Sequence, residues 1–125
     1  MSVRVLVVDD EEDIRDALVA ELEGVDYETV VLENGENIVN TVLETRPDVI
    51  VLDLMMPKVN GNEAISALKD DPVTQRIPVI VASAATRSGI LTAVRELGAA
   101  DFLQKPWRDG ELVWRIDQAI GTGAA

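Results

Sequence analysis

At 125 residues and 47% apolar content the chain is sized for a single domain with one core, and its few aromatics (Tyr27, Phe102, Trp107, Trp114) make that core aliphatic. A formal charge of −12 argues against a nucleic-acid-binding surface or adhesion to anionic membranes, and suits metal cations or basic partner patches. With no cysteine and no histidine, disulfide frameworks, thiol nucleophiles, zinc-thiolate and histidine-metal sites, and Ser-His-Asp triads are excluded.

The chain opens on Met1-Ser2-Val3-Arg4 without an apolar region of signal-peptide length. No later apolar run approaches the ~20 residues of a membrane-crossing helix, so a cytoplasmic domain is expected. Strand 1, Val3 to Val8, is β-branched and ends in Asp9-Asp10. From Glu12 the period changes: Ile14, Ala17, Leu18, Leu22 and Val25 recur at helical spacing, with Gly24 as the stop. Tyr27 to Leu32 reads as strand 2, and its charges and Thr29 place it at an edge. Helix 2 carries Ile38, Val39, Val42 and Leu43 and is closed by Arg46-Pro47.

Strand 3 is the unbroken apolar run Val49 to Leu52, which ends in Asp53. Such a run reads as a strand buried on both faces, where a terminal carboxylate is costly unless it is paired or binds a metal. A loop, Met55 to Gly61 with Pro57 inside it, separates Asp53 from helix 3 (Ala64, Ile65, Leu68), which Asp71-Pro72 breaks. Strand 4, Ile77 to Ala82, ends at Ser83. Helix 4 turns Ile90, Leu91, Val94 and Leu97 inward and stops at Gly98. Strand 5, Ala99 to Leu103, leads to Lys105-Pro106. Helix 5 runs from about Asp109 to Ile120, with Leu112, Val113, Ile116, Ala119 and Ile120 inward. Residues 122–125 form a frayed tail beyond a domain spanning 1–121.

Five strands alternating with five helices predict a doubly wound α/β fold, flavodoxin-like, with a five-stranded parallel sheet in the order 2-1-3-4-5. All strand carboxyl ends then share one rim. Strands 1 and 3 are neighbours at the switch point, ~4.8 Å apart, so Asp9 or Asp10 meets Asp53. Close carboxylates repel, and a hard divalent cation relieves the repulsion. Ser83, one strand over, reaches a group on Asp53. Lys105, two spacings or roughly 10 Å away, is long enough to cross. Acids with a metal on one side, and a hydroxyl and an ammonium on the other, suit a phosphoryl group in transfer to Asp53.

The segments Val7-Val8-Asp9-Asp10-Glu11, Leu52-Asp53-Leu54-Met55-Met56-Pro57 with Gly61, Ala82-Ser83-Ala84 and Asp101-Phe102-Leu103-Gln104-Lys105-Pro106 resemble the receiver domain of bacterial two-component response regulators. The resemblance implies a phosphorelay switch in which Asp53 accepts phosphate from a histidine kinase, a phosphotransfer protein or a small acyl phosphate. It implies Mg²⁺ (or Mn²⁺) on Asp10, Asp53 and the Met55 backbone carbonyl, with Asp9 acting through water. Ser83, Ala84 and Lys105 would bind phosphate. Ser83 and Phe102 would form the switch, and the Lys105-Pro106 bond would be cis. A phosphorylation-dependent change on the helix 4–strand 5–helix 5 face would reach a downstream effector, an output domain or a second copy. Such a domain is not an enzyme in its own right, since it assists only its own phosphorylation and dephosphorylation.

Taken singly, these residues have plainer readings. Asp9-Asp10 caps helix 1, Ser83 is a turn hydroxyl, Lys105 is a solvated lysine and Phe102 is core. Trp107 and Trp114 cover helix flanks or face partners. Two other functions compete. An aspartate-nucleophile Mg²⁺ phosphatase would want a second acid two residues after Asp53, where Met55 stands. A flavodoxin-like binding module without phosphorylation would leave the acid cluster and Lys105 without a role.

Overall fold

The computed structural model describes residues 3–56 and 58–121. Pro57 and the expected tail at 122–125 lie outside the described residues. The elements are β1 (Arg4–Val8), α1 (Glu12–Glu23), β2 (Glu28–Leu32), α2 (Ile38–Thr45), β3 (Val49–Leu52), α3 (Gly61–Asp70), β4 (Val79–Ser83), α4 (Arg87–Arg95), β5 (Asp101–Gln104) and α5 (Glu111–Ile120), with a 3₁₀ turn at Thr74–Arg76. The strands form one parallel sheet in the order β2-β1-β3-β4-β5.

Side-chain alternation along the strands splits the interior into two layers. Leu6, Val8, Ile50, Leu52, Val79 and Val81 pack with Ile38 and Val42 of α2, Ala64, Ile65 and Leu68 of α3, and Ile90 and Ala93 of α4. Val5, Val7, Val49, Val51, Ile80, Ala82 and Leu103 pack with Leu18 and Leu22 of α1 and Leu112 and Ile116 of α5. β3 is central and buried at all four positions, which is why its sequence shows no polar alternation. Each fully buried Leu or Ile stabilises by about 1.5–3 kcal/mol relative to exposure, so a charge at Ile50 would break the sheet at its middle. β2 is an edge strand, as its polarity predicts, and Val31 on it is 48% exposed.

Several boundaries and faces differ from the pattern read in the sequence. Tyr27 precedes β2, because its N–H closes on the Leu22 carbonyl at 3.0 Å. α1 does stop at Gly24, its C-cap, although that glycine is right-handed and the left-handed residue is Asp26 at φ 62°. Ala17 and Val25 of the expected α1 stripe are exposed, and the buried positions are Leu18 and Leu22. On α4 the inward pair is Ile90 and Ala93, with Val94 and Leu97 half-buried beside them. Leu91 instead lines a shallow surface depression with Ser88, Thr92 and Arg95. β5 starts at Asp101 rather than Ala99, whose N–H bonds to the Ala93 carbonyl at the exit of α4. α5 starts at Glu111, after Gly110 at φ 82°.

Candidate functional site

The register sets the rim of the sheet. Val8 lies opposite Leu52, so the residues after them, Asp9 and Asp53, leave the sheet side by side. The Asp53 N–H still bonds to the Val8 carbonyl at 3.0 Å. Ser83 lies opposite Gln104, and the Lys105 N–H bonds to the Ser83 carbonyl at 3.0 Å. Main-chain pairing thus fixes the starting points of four candidate side chains before any of them interact.

Asp9, Asp53 and Ser83 are buried, at 1%, 3% and 0% exposure. Lys105 crosses from the end of β5, and its Nζ donates to Asp9 Oδ2 at 2.8 Å and Asp53 Oδ2 at 3.1 Å. Glu11 Oε1 stands 3.9 Å from the same ammonium. Asp53 Oδ1 accepts from the Ser83 hydroxyl at 2.8 Å and from the Met55 N–H at 3.0 Å. The Asp53 carboxylate is therefore held at both oxygens. Burial alone pulls the Lys105 ammonium down, but its hydrogen bonds to Asp9 and Asp53 and their charges outweigh that, so its pKa lies above the ordinary lysine value.

One oxygen each from Asp9, Asp10, Glu11 and Asp53 can lie within 4.8 Å of the others. Asp10 and Glu11 are exposed, and Asp9 and Asp53 are buried. Three of these carboxylates, Asp9, Glu11 and Asp53, lie within 4 Å of one ammonium, so the cluster carries excess negative charge, and it opens to solvent at exposed Asp10 and Glu11. All-oxygen donors of this kind fit a hard divalent cation. Glu11 belongs to this cluster although the sequence pattern had assigned it no role.

The plainer readings of these residues hold in part. Asp9 Oδ1 also accepts the Glu11 N–H at 3.0 Å, which shapes the turn into α1, although the N-cap residue is Glu11. Ser83 Oγ accepts the Ala85 N–H at 3.1 Å. The Lys105-Pro106 bond is cis. Ala84 is exposed at the rim, and the Met55 side chain points to solvent at 62% exposure. The structure does not bring Phe102 into the acid cluster. It lies opposite Val81, half-buried against the core layer of α2, α3 and α4, with the Arg115 guanidinium 5.5 Å from its ring centre.

Gly61 has a structural task that its place at the end of a loop did not reveal. A Cβ there would meet Leu54 Cα at 2.4 Å and the Asp53 carbonyl oxygen at 2.6 Å. Its N–H bonds to the Leu54 carbonyl at 3.0 Å. The first turn of α3 is pressed against the backbone that carries Asp53, and only glycine permits that approach.

Comparison with known proteins points the same way. A family model described as the response regulator receiver domain matches residues 5–117. The DNA-binding response regulator MtrA of Mycobacterium tuberculosis is 34% identical over 116 residues, covering 93% of this chain and 50% of MtrA. The phosphate regulon transcriptional regulatory protein PhoB of Pseudomonas aeruginosa is 36% identical over 116 residues, covering 93% of this chain and 51% of PhoB. The chain thus spans about half the length of these curated relatives. Among solved structures, the signal receiver domain of a signal transduction histidine kinase from Syntrophus aciditrophicus superposes with a TM-score of 0.87 at 30% identity, covering 97% of this chain and 92% of that one.

Proposed function

The chain belongs to the response regulator receiver domain family, and from that premise we propose that Asp53 is its phosphoacceptor in a two-component phosphorelay. The observation that carries this reading is the shared grip on Asp53: a lysine from β5 and a serine from β4 meet a carboxylate on β3 in one buried cluster. A carboxylate oxygen of Asp53 attacks the phosphorus of a phosphohistidine or acyl phosphate in line. A P–O bond forms, the bond to the donor breaks, and its electron pair leaves with the imidazole or carboxylate.

The residues present fit Mg²⁺ or Mn²⁺. Asp10, Asp53 and the Met55 backbone carbonyl would hold it, with Asp9 through water and Glu11 alongside. When bound, the ion supplies positive charge against the transferring oxygens. The Lys105 ammonium moves from Asp53 Oδ2 to a phosphoryl oxygen while keeping Asp9. The Ser83 hydroxyl and the Ala84 N–H serve other phosphoryl oxygens. When Ser83 leaves Asp53 Oδ1, space opens on its own face of β4, the face Phe102 shares through its pairing with Val81. Phe102 then turns inward, and Arg115 of α5, stacked on its ring, carries the change to the surface of α4, β5 and α5.

The partners of that surface are an effector protein, an output domain or a second copy, and the phosphoryl source is a sensor kinase or phosphotransfer protein. Regulation of this kind belongs in the cytoplasm. Among the described residues no helix is long and apolar enough to cross a membrane. The domain acts as a switch and turns over no separate substrate. The residue two places after Asp53 is Met55, with no second acid for a phosphatase. The test is intact-mass spectrometry after incubation with acetyl phosphate and Mg²⁺. One phosphate should add to the wild-type chain and none to Asp53→Asn, and chelation should suppress the gain. Equal labelling of Asp53→Asn would defeat the assignment.

A further inference from the structure

The chain has three lysines among 23 acidic residues, and each stands in a different setting. Lys105 is clamped by Asp9 and Asp53 at 2.8 and 3.1 Å, and those charges hold its proton. Lys58, in the loop after β3, is mostly exposed, with its ammonium 3.7 Å from Glu36 Oε2. Lys69, in the last turn of α3, has no carboxylate within 4 Å among the described residues, and its Nζ donates instead to the Gln75 backbone carbonyl at 3.1 Å.

The fold makes this setting. One turn back along α3 stand Ile65 and Ser66, so the helix offers Lys69 no acidic neighbour at the usual pairing distance. Asp71, just past the helix, turns its carboxylate to the N–H groups of Val73 and Thr74 at 2.8 and 3.1 Å. The Lys69 stem lies across Gly98, the left-handed residue between α4 and β5: a Cβ there would stand 3.6 Å from Lys69 Cε and 3.9 Å from Cδ and Cγ. The bare backbone at Gly98 thus gives the stem a surface to lie on and leaves the amine half-buried at the junction of α3, the 3₁₀ turn and the start of β5. The carboxyl end of a helix favours a cation, but with no ion pair to hold the proton, burial pulls the Lys69 pKa below the ordinary lysine value.

A neutral amine is the nucleophile, so the lysine that parts most easily with its proton reacts first. We propose that Lys69 is an acylation site, modified by small acyl phosphates. The ammonium first gives a proton to water, and the Nζ lone pair then attacks the acyl carbonyl carbon. An N–C bond forms, the C–O bond to phosphate breaks, and its electron pair leaves with the phosphate, which takes the second proton from nitrogen. The product is a neutral amide whose remaining N–H can still serve the Gln75 carbonyl. Lys69 lies at the end of α3 far from the rim that carries Asp53, so the reaction uses neither Asp53 nor a metal and does not depend on Asp53 being the phosphoacceptor.

The experiment is a time course of the full chain with acetyl phosphate in chelator, read lysine by lysine by peptide mass mapping, with the N-terminal amine scored on its own peptide. Lys69 should acetylate severalfold faster than Lys58, and Lys105 should stay unmodified. In denaturing urea the three rates should converge, because the preference belongs to the fold. Lys69→Arg should remove that label and leave the Lys58 rate as it was. Asp53→Asn should acetylate at Lys69 as fast as the wild type. Equal rates at Lys58 and Lys69 in the folded chain would overturn the proposal, and so would a Lys69 preference that persists in urea, which would trace it to local sequence. Loss of the Lys69 label in Asp53→Asn would overturn it in favour of transfer through Asp53. Labelling of Lys69 in a chain that takes no phosphate at Asp53 would support the proposal and count against the phosphoacceptor reading alone.

Discussion

Replacing Lys105 with Met removes one ammonium and leaves its two buried carboxylate partners, Asp9 and Asp53, facing each other. At 2.8 and 3.1 Å both contacts are short enough for a charge-assisted hydrogen bond. Breaking a fully buried pair costs about 3–5 kcal/mol, because an uncompensated charge remains. Here the neighbouring Asp10 and Glu11 are exposed and the cluster is open on that side, so water can reach the orphaned oxygens, and about 2–3 kcal/mol is the reasoned loss. For a urea slope of about 2 kcal/mol/M the unfolding midpoint should fall by roughly 1–1.5 M in chelator.

Added Mg²⁺ should then bring the two proteins closer in stability. In the variant the cation meets the acid cluster without the ammonium's repulsion, so its affinity should rise. Binding stabilises by about 2.7 kcal/mol at a hundredfold excess over the dissociation constant. At a fixed Mg²⁺ concentration the variant should therefore gain more than the wild type, and the gap seen in chelator should narrow. Lys105 also predicts an alkaline limit. Its raised pKa means that its contribution is complete below the ordinary lysine value of 10.5 and is lost as pH rises through the folded value. Paired urea melts, with and without Mg²⁺, read all of this. An unchanged midpoint in chelator, or equal gains from Mg²⁺ in both proteins, would refute the reasoning that Lys105 and a cation share one pool of negative charge.

Three further outcomes follow from single contacts. Gly61→Ala forces a methyl group to within 2.4 Å of Leu54 Cα, so it should lower stability by about 1–3 kcal/mol and slow Asp53 labelling by acetyl phosphate, both absent if α3 can slide away freely. Ser83→Ala removes a donor from buried Asp53 Oδ1 but leaves the Met55 N–H in place; it should cost about 1–3 kcal/mol and slow labelling without abolishing it, as intact-mass time courses would show. Tyr27, the one tyrosine in the chain, has its phenol pushed up to about 12 by burial and then by its hydrogen bond to Asp117 and that carboxylate's charge. The unfolded chain therefore loses this proton first, the contribution fades as pH rises through about 12, and the tyrosinate absorbance of Asp117→Asn should appear at lower pH than that of the wild type.

What the sequence made legible was set by the strength of local signals. β3 could be read because an apolar run ending in Asp53 has few other uses. Alternation of five strands with five helices gave a parallel sheet, the arrangement common for that count gave the order β2-β1-β3-β4-β5, and together they brought Asp9, Asp53, Ser83 and Lys105 to one rim before any side-chain contact was known. The faces of α1 and α4 were read less well, for a single physical reason. Where a helix crosses a sheet closely, a small residue can be the one that touches. Ala93 is fully buried while the larger Leu91 beside it is not, and hydropathy weighs them the other way. Ala17 shows the converse, an apolar residue left uncovered because nothing large packs over it.

Contacts between distant backbones left no trace in the pattern at all. Gly61 reads as loop punctuation, yet what it meets is the main chain carrying Asp53. Glu21 reads as one acid among many on α1, yet it is the one whose carboxylate lies beside an indole that is 86 positions away in the chain. The same separation of scales explains why the Asp53 cluster could be assembled by reasoning and the groove between α1 and the segment after β5, lined by Ile14, Ala17, Pro106 and Trp107, could not. The centre is built from residues at strand ends, whose positions topology dictates. The groove is built from the distance between a helix and a loop, which depends on side-chain volumes packed beneath both. Substitutions at Ile14 or Ala17 should therefore reshape the groove while leaving the Asp53 cluster intact, because no strand register depends on either residue.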